Sequence, residues 1–195
     1  ETYVRVKLDQ AGKDGKRYRG PAGKQNRLYV PPMLDSETLS DVSRPLYITE
    51  GEKKALKACQ EGFPCVALPG VWSWRTKDDD GNSVPIPDLD RIPWEGRIVS
   101  IVFDSDAATN PDVARAEISL AVELAQRGAT VFSIRLPQGD EGKVGFDDYL
   151  IRHSVESFRT LPAEQIAPRA LAVGLGRFLA KQLPVSVPLI RDLLP

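Results

Sequence analysis

Four short apolar runs, separated by stretches of a different character, restrict what this chain can fold into. They are Leu46-Tyr47-Ile48-Thr49, Pro64-Cys65-Val66-Ala67-Leu68, Ile98-Val99-Ser100-Ile101-Val102-Phe103 and Thr130-Val131-Phe132-Ser133-Ile134-Arg135. Their length and apolar continuity suit strands buried on both faces. After the first run, Glu52 to Glu61 is rich in helix formers and stops at Gly62. After the third, Asn110-Pro111 supplies an N-cap followed by proline at the first helical position, and Val113, Ala116, Leu120 and Leu124 are spaced for one buried face before Arg127-Gly128. Strands alternating with helices imply a parallel sheet with right-handed crossovers. The expectation is an α/β fold: a small parallel, Rossmann-like sheet flanked by helices.

Acidic residues stand where these strands run out. Glu50 follows the first run, and Asp104 and Asp106 follow the third. In an open parallel sheet, ligands bind outside the carboxyl ends of the strands, so the three side chains can meet in one crevice. Converging carboxylates suit Mg2+, or Mn2+, a hard cation that takes oxygen ligands and substrate phosphates. The chemistry indicated is that of phosphate esters. The plainer alternative for each residue is a helix cap or a solvated turn. The segment Gly142 to Leu150 follows the fourth strand and reaches the same edge, so Asp147 or Asp148 can complete the site, or one of them can cap the helix Tyr149-His153.

Charge is unevenly spread over the 195 residues. The chain carries a net -1, but residues 1–30 hold eight basic residues against three acidic ones, a balance of +5. Tyr3 to Leu8 alternates, Gly12-Lys13-Asp14-Gly15 is turn chemistry and Arg27-Leu28-Tyr29-Val30 resumes an extended pattern, so this region reads as a basic β-hairpin appendage. Lys16, Arg17 and Arg19 at its tip, with Lys53 and Lys54 in the first helix, are candidates for phosphate or nucleic-acid contact. A solvated, glycine-rich tip with ordinary lysines fits the same residues.

Val71 to Gly96 is a long insertion in which Trp72, Trp74 and Trp94 flank the polar run Lys77 to Asn82. Such tryptophans stack bases or, more often, pin a loop to its domain. Asp78-Asp79-Asp80 reads as solvated. Cys59 and Cys65 are too few for a zinc module or a disulfide framework and suit a reducing, cytoplasmic setting as small core residues. No apolar run approaches the ~20 residues needed to cross a bilayer. The only histidine, His153, reads as a helix C-terminal residue. The start at Glu1, without Met or a signal peptide, reads as that of an excised piece. Residues 163–182 read as a helix and 183–188 as an extended tether.

The order of motifs resembles a toprim domain, the fold shared by bacterial-type primases, type IA and type II topoisomerases and some nucleases. Thr49-Glu50-Gly51-Glu52-Lys53-Lys54-Ala55 resembles its first motif, Leu68-Pro69-Gly70 its glycine turn and Phe103-Asp104-Ser105-Asp106 its paired aspartates. Gly70-Val71-Trp72 and Lys143 to Leu150 are similar to toprim-like domains of phage, plasmid and mobile-element primase-helicase proteins. The resemblance implies three segments: a basic appendage over 1–45, a toprim-like catalytic domain over 46–152 with its insertion at 71–96, and 153–195 as a helical segment and linker to a helicase domain of the full-length protein. The ending Val187 to Pro195 is similar to the lead-in of such a helicase core, although no Gly-rich phosphate loop is present.

The resemblance further implies that Asp104 and Asp106, with Asp147, hold the metal. Glu50 then shares the metal or serves as general acid/base. The implied partners are a single-stranded DNA template and nucleoside triphosphates, and the implied activity is that of a primase. A nuclease using water as attacker, and a non-catalytic module that binds nucleic acid or partner proteins, are the alternatives. Unlike bacterial primases, the chain has no cysteine-rich zinc module and no large basic subdomain ahead of residue 46.

Overall fold

The computed structural model describes residues 4–12, 18–139 and 142–166. In chain order the elements are β1 (Val6–Lys7), β2 (Tyr18–Arg19), α1 (Ser36–Ser40), β3 (Leu46–Glu50), α2 (Glu52–Gln60), β4 (Cys65–Leu68), β5 (Arg75–Lys77), β6 (Ser83–Pro85), β7 (Ile98–Val102), α3 (Pro111–Gln126), β8 (Thr130–Ile134), α4 (Phe146–Arg152), α5 (Val155–Arg159) and β9 (Ala163–Gln165). The central sheet runs β4-β3-β7-β8-β9. Its first four strands are parallel and β9 is antiparallel to β8. The fold is therefore mixed α/β, with a mostly parallel sheet flanked by helices and an N-terminal antiparallel hairpin, β1 with β2.

Continuous apolar runs dictate this arrangement, because each central strand must be covered on both faces. On one face, Leu46, Ile48, Ile101, Phe103 and Val131 pack with Leu120 and Leu124 of α3. On the other, Cys65, Ala67, Val102 and Ile134 meet Ala55 and Ala58 of α2 and Phe146 and Tyr149 of α4. Phe146 and Phe158 stack there with ring centroids 4.6 Å apart, and Phe63 meets Phe158 edge-on at 5.0 Å. Covering both faces leaves only the strand ends open to ligands.

The helix signals hold in detail. Asn110 accepts a bond from the Asp112 backbone N–H at 3.0 Å, ahead of Pro111. Val113, Ala116, Leu120 and Leu124 are all buried. Their stripe also includes Glu117, fully buried, which the apolar spacing did not flag; Ser133 Oγ donates to it at 2.6 Å and Arg135 pairs with its other oxygen.

Residues 71–96 are anchored rather than free. Trp74 and Trp94 lie in the core cluster over α3, and the Trp94 indole donates to the Leu89 carbonyl at 2.7 Å. Trp72 stays partly exposed and donates to Asp112 at 3.1 Å. Between them β5 and β6 form a small antiparallel ribbon, whose turn is closed by bonds from the Asp80 and Asn82 backbone N–H groups to Asp78. Asp78 thus acts as a turn residue.

Three expectations are corrected. Arg27 to Val30 does not return along the first hairpin strand; Tyr29 pairs with Ala67 on the outer edge of β4, exchanging bonds of 2.8 and 2.9 Å. Covering an exposed strand edge satisfies backbone groups that would otherwise seek a partner. Residues 163–165 are the strand β9, not the start of a helix, since the open edge of β8 takes their backbone bonds. Residues 167–182 and the tether 183–188 lie outside the described residues. The last helix near the site starts at Phe146 rather than Tyr149, so both Asp147 and Asp148 fall in its first turn.

Candidate active site

The turn from β3 to α2 places the first carboxylate. Gly51 adopts φ +93°, a region that only glycine enters without strain, and its N–H donates to the Leu68 carbonyl at 2.8 Å. This sharp turn leaves Glu50 at the end of β3, opposite Leu68 of β4, and sends α2 back over the sheet. Burial pushes the Glu50 carboxyl above the usual glutamate range; Lys54 and Lys143 pull it down, and Asp104 and Asp106 push it up again.

Asp104 follows β7, the strand beside β3. It stands at the N-cap position of a short 3-10 turn, Ser105–Ala108, yet makes no side-chain capping bond, which leaves its carboxylate to the crevice. Lys54 Nζ, one turn into α2, lies 2.6 Å from Asp104 Oδ1. Lys143 Nζ lies 2.9 Å from Asp104 Oδ2 and 3.2 Å from Asp106 Oδ2. Burial draws the Lys143 ammonium down, but its bonds to Asp104 and Asp106 outweigh that and hold it above the ordinary lysine value. Asp104 is thus gripped by two cations, and Asp106 by one.

Lys143 reaches this position because Ser105 clamps its loop. Ser105 N–H donates to the Val144 carbonyl and Val144 N–H donates to Ser105 Oγ, both at 2.9 Å, while Gln138 Nε2 donates to the Ser105 carbonyl at 2.9 Å. Ser105, 2% exposed, therefore fastens the segment after β8 to the end of β7. Gly145 then allows a close approach, since a Cβ there would come within 2.8 Å of both Lys54 Cε and Asp147 Oδ1.

The two adjacent aspartates divide the roles that the sequence left open. Asp148 Oδ2 accepts from the Gly145 N–H at 3.2 Å and caps α4. Asp147 lines a cavity of about 240 Å3 together with Glu50, Gly51, Lys54 and Pro69, and its Oδ1 is buried without a hydrogen-bond partner. Asp106 Oδ1 is likewise buried and unpartnered. Asp104 Oδ1 meets Lys54 as a close ion pair rather than an aligned hydrogen bond. Buried oxygens without partners cost free energy unless something else satisfies them.

The donor chemistry fits a hard cation: carboxylate oxygens only, two of them unpartnered. The four carboxylates of Glu50, Asp104, Asp106 and Asp147 stand against the two ammonium groups of Lys54 and Lys143. Among the described residues no three carboxylates, histidines or cysteines are gathered at ligating spacing. Lys54 and Lys143 stand among the carboxylates and occupy both oxygens of Asp104 and one of Asp106.

The cavity does not end at the carboxylates. Arg5, Tyr18, Glu52 and Lys53 line both it and a groove of about 680 Å3 that continues along Lys7, Arg27 and Tyr29. The groove mixes cations and rings: Arg5 lies 5.4 Å from the centroid of the Tyr18 ring and also pairs with Glu52. Arg27 is held by Asp88 through two bonds of 2.7 Å. Of the basic candidates, Lys53 faces this groove and Lys54 the carboxylates, while Arg19 lies on β2 and lines neither; Lys16 and Arg17 lie outside the described residues. Reading by residue type passed over Lys143 and Ser105, whose only sequence signal is their place beside the aspartate pair and in the Lys143-Val144-Gly145-Phe146-Asp147 loop. His153 stacks on Tyr149 at 4.4 Å and closes α4, away from the carboxylates. No helix among the described residues is long and apolar enough to cross a membrane.

Comparison with known proteins gives a family rather than an activity. An uncharacterized protein of Picosynechococcus sp. is 31% identical over 122 residues, which make up 58% of this chain. The matched stretch spans only 12% of that relative's length. Among solved structures, the E. coli primase catalytic core aligns with 91% of this chain and 52% of its own, at 18% identity and a TM-score of 0.47, a likeness that carries no argument here. The sequence signature described as "Domain of unknown function (DUF3854)" matches residues 36–157, spanning β3 through α4 and every carboxylate of the crevice, and the chain belongs to that family.

Proposed function

We propose that this chain is a divalent-cation-dependent nucleotidyltransferase of primase type, acting on single-stranded nucleic acid and nucleoside triphosphates. The observation that carries the reading is the meeting of Glu50, Asp104, Asp106 and Asp147 at one sheet edge, two of their oxygens buried and unpartnered, beside a groove of cations and tyrosines. The order of the toprim-like motifs agrees with it. Asp104, Asp106 and Asp147 would hold Mg2+ or Mn2+. When bound, such a cation lowers the pKa of an attacking hydroxyl and neutralises charge on the phosphate.

The chain's own residues do the rest. Glu50, whose carboxyl burial holds above the usual glutamate range, is suited to exchanging a proton with the attacking or leaving oxygen. Lys54 and Lys143, once released from Asp104 and Asp106, can turn to phosphate oxygens as point charges. Tyr18 and Tyr29 offer ring faces, and Arg5, Lys7 and Lys53 offer charge, to a strand lying in the groove. By the same resemblance, the natural setting is a phage, plasmid or mobile-element replication protein with an attached helicase.

One observation favours a second reading, a binding module without chemistry. Lys54 and Lys143 already compensate Asp104 and half of Asp106, so the crevice is partly neutralised without a cation. A denaturing-gel assay separates the readings. The chain is incubated with Mn2+ or Mg2+, single-stranded template and labelled nucleotides, beside an Asp104→Ala/Asp106→Ala control. Cation-dependent extension lost in the control is the expected result. Template shortening means a nuclease, and no reaction with intact template binding means the module.

A further inference from the structure

A second polar cleft lies on the insertion, away from the carboxylates. The β5–β6 ribbon contributes Arg75, Thr76, Lys77 and Ser83, and the segment before Arg27 contributes Lys24, Gln25 and Asn26, around a shallow volume of about 390 Å3. Every one of these side chains can donate a hydrogen bond, and none is acidic. In a chain of net charge -1 with 27 acidic residues, a lining of three cations and four neutral donors is a selective feature. It suits an anion with many oxygens.

The cations are arranged rather than scattered. Arg75 and Lys77 are two apart on one strand and so share a face of the ribbon, with Ser83 directly opposite Lys77. The Arg75 guanidinium lies over the ring of Trp74, 4.2 Å from its centroid, and Trp74 is fully buried, so the guanidinium is held against the core. Lys77 Nζ donates to the Gly81 carbonyl at 2.9 Å, which holds its ammonium at the turn. The cleft is also continuous in sequence with the groove beside the carboxylates. Lys24, Gln25 and Asn26 line the cleft, and the next residues, Arg27 to Val30, line the groove.

We propose that the cleft between the β5–β6 ribbon and residues 24–26 binds the phosphate backbone of single-stranded nucleic acid, extending the strand's path beyond the groove at the carboxylates. It rests on the reading of the protein as one that acts on such strands, and it adds a contact surface that the motifs near Glu50 and Asp104 do not contain. Recognition here is of phosphate and is independent of base sequence. The strand passes from the carboxylate cavity, over the tyrosines, and across the segment 24–30 onto the insertion.

The test is fluorescence anisotropy of a labelled single-stranded oligonucleotide, titrated over a range of salt concentrations with EDTA present, using Arg75→Ala/Lys77→Ala and the charge-conserving Arg75→Lys/Lys77→Arg. Losing two phosphate contacts lowers the slope of log affinity against log salt by about 1.4, at ~0.7 per phosphate on a single strand. The alanine variant is expected to bind several-fold more weakly with that shallower slope, while the charge-conserving variant keeps the slope. Unchanged affinity and slope in the alanine variant, or no binding by the wild type, overturns the proposal. Because EDTA removes any part played by a cation, a cleft that binds DNA in a protein lacking cation-dependent extension refutes the transferase alone, and extension with an unchanged salt slope refutes the cleft alone.

Discussion

Lys143 reaches Asp104 across the crevice, Nζ to Oδ2 at 2.9 Å, and touches Asp106 with the same ammonium at 3.2 Å. One lysine thus bridges the two aspartates that a cation would need. Lys143 holds Oδ2 of both carboxylates, so a cation drawn to these aspartates would compete with its charge. Replacing Lys143 by alanine is expected to tighten Mn2+ binding by calorimetry. It should also lower the melting temperature without cation, by the equivalent of about 0.5–1 kcal/mol because the lysine is half exposed, and added Mn2+ should restore it. Unchanged Mn2+ affinity would mean that the bridge does not oppose the cation.

Asp147 and Asp148 are expected to respond differently to the same change. Asp148→Asn weakens the bond to the Gly145 N–H and costs about 0.5–1 kcal/mol in denaturant unfolding, with Mn2+ affinity kept. Asp147→Asn leaves stability unchanged or raised, because its buried oxygen has no partner to lose, and weakens Mn2+ binding. The reverse pattern would exchange their roles.

Ser105→Ala removes the acceptor of the buried Val144 N–H and loosens the loop that carries Lys143. The expected cost is about 1–3 kcal/mol, the usual penalty for an orphaned buried donor. Hydrogen exchange should rise most at Val144 and Gly145. A loss spread evenly over the sheet would contradict a local clamp.

Asp88 gives a dependence on pH. Burial pushes its carboxyl up, but the Arg27 guanidinium and the Leu28 N–H more than reverse that and hold it below the ordinary aspartate value of 3.8. The folded state therefore favours the ionised form. Its contribution is present above pH 3.8 and fades as pH falls through the lower, folded-state value. Asp88→Asn is expected to cost about 1–2 kcal/mol near neutrality and nothing in strong acid, where both proteins carry an uncharged side chain. Parallel stability curves for the two at all pH values would contradict this.

Apolar run length and helix capping determined much about this protein without tertiary information. Continuous strands such as Ile98 to Val102 must be covered on both faces, and Asn110-Pro111 favours the start of a helix, so the alternation of strand and helix was legible. So was the edge at which Glu50, Asp104 and Asp106 end their strands, because strand direction alone sends those side chains to one side of a parallel sheet. Partner choice was not legible, because it depends on distances in space between residues far apart in the chain. Tyr29 went to the edge of β4 rather than back along the first hairpin because that edge had unpaired backbone groups, and Ala163 to Gln165 extended the sheet for the same reason at β8. Residue type equally gave no means of separating Asp147 from Asp148, or of seeing that Lys143 joins Asp104. Those outcomes follow from the Ser105 clamp and the start of α4 at Phe146, which set the neighbours of each charge in three dimensions.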